Sequence, residues 1–115
     1  MAKFDLIGLG NALVDSEFHV TDSFLKKKGF EKGTMHLVDS DEQTNLLNSL
    51  EKEYGKPSLA CGGSATNTIF AASILGSSCS YICKVGNDKN GNFYLDDLSD
   101  AGVNIDHSVM LDSNI

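Results

Sequence analysis

The sequence predicts an α/β domain built on a mostly parallel sheet. Strand-like runs alternate with helix-like ones, several of them end on glycine, and a paired-glycine turn feeds directly into an apolar helix. Hydrophobic residues make up 41% of the chain and charged residues 22%, the balance of an ordinary globular protein rather than a disordered one. At 115 residues the chain is one small domain or a piece of a larger one.

The first strand is Phe4-Asp5-Leu6-Ile7-Gly8-Leu9-Gly10, short and largely apolar, as strands buried in a parallel sheet are. It ends at Gly8-Leu9-Gly10-Asn11, followed by Ala12-Leu13-Val14-Asp15. A dinucleotide fingerprint would need a third glycine where Leu13 stands, and a helix after it. Instead Glu17-Phe18-His19-Val20 alternates like an exposed strand, so that reading is excluded. Thr21-Asp22 caps a short helical turn closed by Gly29, and Gly33 to Val38 reads as a second alternating strand. Val14–Val20 and Gly33–Val38 are expected to form a small sheet outside the main one, with His19 and His36 as surface residues.

Ser40-Asp41-Glu42-Gln43 reads as a capping box opening a helix whose apolar face is Leu46, Leu47, Leu50 and Tyr54, stopped by Gly55 and Pro57. Ser58-Leu59-Ala60 is a brief strand that feeds the turn Cys61-Gly62-Gly63-Ser64-Ala65-Thr66-Asn67-Thr68. The helix after it, apolar nearly all round, is expected to be buried and ends at Gly76. Ser80 to Val85 is the next strand, closed by Gly86. A helix from Asp88 turns Phe93, Leu95, Leu98 and Ala101 inward and ends at Gly102, and Val103 to Leu111 is a further strand region. Asp88-Lys89-Asn90-Gly91-Asn92 is not a calcium loop, since glycine is its fourth residue and Ser99 stands where the twelfth-position glutamate belongs.

The central turn carries the most chemistry. Paired glycines let a ligand approach the main chain closely. Ser64 or Thr66 is placed to cap the helix, whose first N–H groups favour an oxygen-rich ligand. Asn67 adds an amide that both donates and accepts, which suits a hydroxyl-bearing ligand. A net charge of −7, from 16 acidic and 9 basic residues, argues against nucleic acid or a membrane surface as partner. Lys26-Lys27-Lys28 is a solvated helix end. No apolar run reaches membrane-span length and no signal peptide is recognisable, so the expected location is cytoplasmic. The three cysteines, Cys61, Cys79 and Cys83, give neither a disulfide framework nor a metal-site spacing and read as buried free thiols; no metal site is expected.

Several motifs in order now make the chain resemble the N-terminal part of a ribokinase-like (PfkB) sugar or nucleoside kinase. They are Gly8-x-Gly10-Asn11-x-x-x-Asp15, Gly62-Gly63-x-x-x-Asn67, the glycines Gly76 and Gly86, Gly86-Asn87-Asp88-x-x-Gly91, and Leu98-x-x-x-Gly102-Val103. The resemblance covers essentially the whole chain; Ile69 departs from it, standing where the family usually has a small residue. It implies a three-layer αβα fold with a mostly parallel sheet and a small β lid, residues 1–115 forming the N-terminal part of one kinase domain with lid strands near 14–20, 33–38 and 104–112. It implies that Asn11 and Asp15 bind substrate hydroxyls, with Gly62, Gly63 and Asn67 lining the same pocket. The implied reaction is ATP-dependent phosphorylation of a sugar or nucleoside hydroxyl, with Mg2+. The family's base and most of its nucleotide site lie late in the chain, so no catalytic residue is assigned before Ile115, and the chain alone is expected to be inactive and prone to associate. The Asn11-to-Asp15 spacing and the long insert before Gly62 lean toward the adenosine-kinase-like branch. The remaining alternatives are a non-catalytic sugar- or nucleoside-binding module and a fragment that forms a homodimer through its lid strands.

Overall fold

The computed structural model describes residues 3–106 and 110–112. The chain divides into two compact units, residues 1–15 with 59–115 and residues 16–58.

The first unit holds the parallel strands. Strand β1 (Leu6–Leu9) lies beside β4 (Cys79–Ile82) in parallel, with Leu6 opposite Cys79 and Leu9 opposite Ile82. Asn104 bridges Ser80 in parallel on the other side of β4. The strand expected from Ser80 to Val85 breaks after Ile82 and resumes as β5 (Val85–Gly86), which pairs in parallel with β6 (Leu111–Asp112). A third pair joins β2 (Leu13–Glu17) to β3 (Ser58–Gly62), two residues longer than its sequence suggested. Parallel neighbours need crossovers, and helices α3 (Ser64–Ile74) and α4 (Lys89–Asp100) supply them.

The core of this unit is Ile69, Cys79, Tyr81, Cys83, Val85, Tyr94, Leu95, Leu98, Val103 and Met110. Cys79, Tyr81, Cys83 and Val85 recur at every second residue and are all buried, as a strand period of two demands. On α4, Leu95 and Leu98 are buried as expected, but so is Tyr94, which the apolar pattern had left out. Ile69, the departure from the family pattern, is 2% exposed and packs where Gly8 leaves room; a Cβ on Gly8 would stand 2.6 Å from its Cγ1. Burying such a side chain contributes about 1.5–3 kcal/mol. Helix α3 is less enclosed than its composition suggested. Only Thr66 and Ile69 are buried, while Ile74 and Leu75 are exposed. Ile7, Leu9 and Ile82 also face outward, so the parallel pair keeps an open apolar surface.

The second unit contains α1 (Asp22–Lys28) and α2 (Ser40–Tyr54). Thr21 caps α1 by accepting from the Phe24 N–H, and Gly29 closes it in the left-handed conformation. The capping box of α2 sits one residue earlier than the sequence suggested. Asp39 accepts from the Glu42 N–H at 2.8 Å, and the Glu42 carboxylate accepts from the Asp39 N–H at 2.9 Å. Aspartate wins because it is the acceptor one residue closer to the turn, leaving Ser40 inside the helix. Phe24 meets Tyr54 edge to face at 5.5 Å, and Tyr54 Oη accepts from the Thr21 N–H.

Two of the three expected lid segments take other forms. No strand spans 33–38: Met35 and Leu37 are exposed, and Thr34 spends its hydroxyl locally on the Glu31 carbonyl and on His36 Nε2. An alternating pattern without a paired neighbour leaves its backbone groups to such local bonds. His36 is exposed, as read from the sequence, and it also meets Phe30 edge to face. Of 104–112, Asn104 bridges Ser80 of β4, and Leu111–Asp112 pair in parallel with Val85–Gly86 as a two-stranded sheet; 107–109 lie outside the described residues. Within 14–20 the strand ends at Glu17. No described helix is long and apolar enough to cross a membrane.

Candidate functional site

The exit of β1, residues Leu13 to Asp15 of β2 and the paired-glycine turn meet in the first unit. Gly63 adopts φ 102° and ψ 139°, a conformation side-chain-bearing residues rarely adopt, and it begins α3. A Cβ there would stand 3.1 Å from the Asn11 carbonyl oxygen. At Gly62 a Cβ would lie 2.9 Å from Asp15 Oδ2, so the Asp15 carboxylate lies directly over the Gly62 backbone. Asn67 is one turn along α3; its N–H donates to the Gly63 carbonyl at 2.9 Å and its side chain is exposed. The structure thus sets the Asp15 carboxylate against Gly62 and the Asn11 main-chain carbonyl against Gly63, and holds Asn67 to the same turn through the backbone. Asn11 and Asp15 are exposed, which leaves their polar atoms open to solvent and to ligands.

The helix start differs from the sequence reading in an informative way. No side chain caps α3, so neither Ser64 nor Thr66 takes the capping role. Thr66 is fully buried instead. Its hydroxyl donates to Tyr81 Oη at 2.9 Å and bonds Tyr94 Oη as well. Burial holds the Tyr94 phenol well above its ordinary range, and the nearby Tyr81 adds to the rise. The uncapped turn leaves the first N–H groups of α3 without a side-chain acceptor.

Beneath the turn, the Cys61 thiol donates to the Tyr94 carbonyl at 3.5 Å. Its pKa is pushed up to about 12, chiefly by burial and then by Asp97 beside it; burial also raises Cys83. Both thiols are therefore protonated and poor nucleophiles, in line with the reading of all three cysteines as free. Farther along, Gly91 presses against Gly86, where a Cβ would fall 1.8 Å from the Gly86 carbonyl oxygen. That contact explains the Gly86-to-Gly91 spacing and brings Asp88 to cap α4 through the Gly91 N–H at 2.8 Å. Among the described residues, no three His, Cys, Asp or Glu side chains gather as metal ligands.

Sequence reasoning missed Thr66, Tyr81 and Tyr94 as a group. A period-two pattern finds Tyr81 on the buried face of its strand, but nothing in a single sequence announces that three hydroxyls from α3, β4 and α4 converge.

The model of the pfkB family carbohydrate kinases matches residues 34–114. Among solved structures, an adenosine kinase from Sinorhizobium meliloti is 37% identical with a TM-score of 0.69, over 91% of this chain and 31% of that one. A probable sugar kinase from Rhizobium etli CFN 42 is 35% identical with a TM-score of 0.67, over 90% of this chain and 30% of that one. An Anopheles gambiae adenosine kinase, solved with P1,P4-di(adenosine-5) tetraphosphate, is 25% identical with a TM-score of 0.70, over 88% of this chain and 30% of that one. A search of the curated proteins gives no match. The chain therefore spans less than a third of the length of the solved structures it resembles.

Proposed function

Because the chain belongs to the pfkB family of carbohydrate kinases, we propose that it carries the acceptor-binding part of an ATP-dependent kinase acting on a sugar-ring hydroxyl, with a nucleoside as the first candidate acceptor. The observation that carries this reading is the contact of the Asp15 carboxylate with Gly62, beside Asn11 and the uncapped start of α3. An ionised carboxylate accepts from one or two hydroxyls, and Asn11 and Asn67 offer amides that donate and accept. Glycine at 62 and 63 leaves the backbone bare, so a ring can lie against it without meeting a side chain. The likeness to adenosine kinases, together with the Asn11-to-Asp15 spacing, favours a nucleoside over a free sugar.

Phosphoryl transfer needs a base at the acceptor hydroxyl, donors for the developing charge and neutralised phosphates. In this reading Asp15 orients the acceptor and is not the base, and the groups that act on the transferred phosphoryl lie outside residues 1–115. Mg2+ would neutralise the phosphates of ATP in this reading, held mainly by residues outside 1–115. The test is a panel of nucleosides and free sugars with ATP, using the whole product of the native gene and reading phosphorylated product directly. Turnover of a nucleoside or sugar supports the proposal, with adenosine expected among the best acceptors. Binding without turnover would reduce it to a binding module, and neither binding nor turnover would overturn it.

A further inference from the structure

We propose that the buried hydroxyls of Tyr94, Thr66 and Tyr81 form a positioning device that sets the Gly62–Gly63 turn against the Gly10–Asn11 strand end; it rests on the reading of that turn as the acceptor site. All three residues are fully buried and come from three different elements, α4, α3 and β4. A buried hydroxyl left without a partner is strongly unfavourable, so each of the three is tolerated only because the others are there.

The direction of the chain follows from proton count. Thr66 has one hydroxyl proton and donates it to Tyr81, so Tyr94 must be the donor to Thr66. The order Tyr94 to Thr66 to Tyr81 therefore runs from α4 toward the exit of β1. At that end Tyr81 Oη fills the space beside Gly10, where a Cβ would stand 2.6 Å from it. In the middle, Thr66 Oγ1 lies 3.5 Å from the place a Cβ would take on Gly63. Separately from the hydroxyls, the main-chain carbonyl of Tyr94 on α4 accepts from the Cys61 thiol, the residue just before Gly62. One hydroxyl chain thus touches both backbone segments of the site from below without reaching the surface.

An apolar plug of the same volume would fill this space but would not fix angles. Hydrogen bonds between hydroxyls impose direction as well as distance, and within a low-dielectric core they hold it more firmly than at the surface. The helix start at Ser64 makes Gly63 the N-cap, which has no side chain to offer the N-terminal N–H groups of α3, and puts Thr66 inside the first turn with its hydroxyl turned inward.

The experiment compares Thr66→Val, Thr66→Ser, Tyr81→Phe and Tyr94→Phe with wild type in the whole gene product. Two quantities are read: KM for adenosine and for ATP under phosphoryl transfer, and amide hydrogen exchange across residues 61–68. Thr66→Val and Tyr81→Phe should raise the adenosine KM by about tenfold with the ATP KM unchanged. Exchange across the turn should quicken in parallel, and Thr66→Ser, which keeps the hydroxyl, should restore both. An adenosine KM and turn exchange within about twofold of wild type, in a variant whose melting temperature has nevertheless fallen, would overturn the proposal and leave an ordinary core role. If Thr66→Val does not fold, Tyr81→Phe, which removes a single oxygen, carries the same comparison. If wild type turns over no acceptor, the functional reading has failed, and the exchange arm alone then decides: unchanged turn exchange in the hydroxyl-less variants overturns the positioning role.

Discussion

Replacing Gly63 by alanine separates the strain of a backbone from the shape of a site. Gly63 and Gly76 lie in the same unit and have nearly equal φ, 102° and 105°. An L side chain at either position costs about 1–3 kcal/mol in backbone strain. Their surroundings differ. A methyl at Gly76 meets nothing within 4 Å, whereas at Gly63 it stands 3.1 Å from the Asn11 carbonyl oxygen and 3.5 Å from Thr66 Oγ1. The 3.1 Å contact is short for carbon against oxygen, so Asn11 must yield by a few tenths of an ångström. Urea unfolding should therefore show both variants destabilised by about 1–3 kcal/mol, with Gly63→Ala at the upper end. Adenosine titration should then part them. Gly76→Ala should bind within about twofold of wild type, and Gly63→Ala at least about tenfold more weakly, since displacing a positioned hydrogen-bonding group forfeits about 1.4 kcal/mol. Equal losses of affinity in the two variants would refute the reasoning, because stability alone would then explain both.

Gly91→Ala should prevent the first unit from folding, because its Cβ would fall 1.8 Å from the Gly86 carbonyl oxygen; circular dichroism and solubility would show it at once. Asp39→Ala removes the cap of α2 and should destabilise that helix by about 1 kcal/mol, seen in urea unfolding followed by far-UV ellipticity. The Cys61 thiol predicts a pH dependence. Its folded pKa, about 12, lies above its ordinary 9.0, so the native state holds the proton more tightly than the unfolded chain does. The associated stability is fully present below pH 9 and falls as pH rises from 9 toward 12; Cys61→Ser, which does not ionise there, should flatten that part of the curve.

Most of the framework was legible because it rests on local signals. The apolar periods of α2 and α4 and the glycines after the strands each depend on a few neighbouring residues, and the helices stand close to where those signals put them. The exceptions share a cause. The segment 33–38 alternates like a strand, but alternation specifies only a side-chain pattern and not a neighbour with which to pair. The capping box slipped by one residue because Asp39 and Ser40 are both good caps and the sequence does not rank them. The sequence offers Ser64 or Thr66 as the helix cap, but α3 starts at Ser64 itself, so Thr66 falls within the first turn and its hydroxyl meets two tyrosines distant in sequence. The candidate site followed the same division. The residue types at Asn11, Asp15, Gly62, Gly63 and Asn67 were readable, but the contact between Asp15 and Gly62 exists only in three dimensions.

The most direct test of the account is adenosine binding, by calorimetry, to the whole gene product with and without Asp15→Asn. Loss of one charge-assisted hydrogen bond to a hydroxyl corresponds to about 1.5–3 kcal/mol, so the account predicts an affinity lower by about 10- to 150-fold with an unaltered melting temperature. An Asp15→Asn protein that binds adenosine as wild type does would contradict the claim that this carboxylate holds the acceptor.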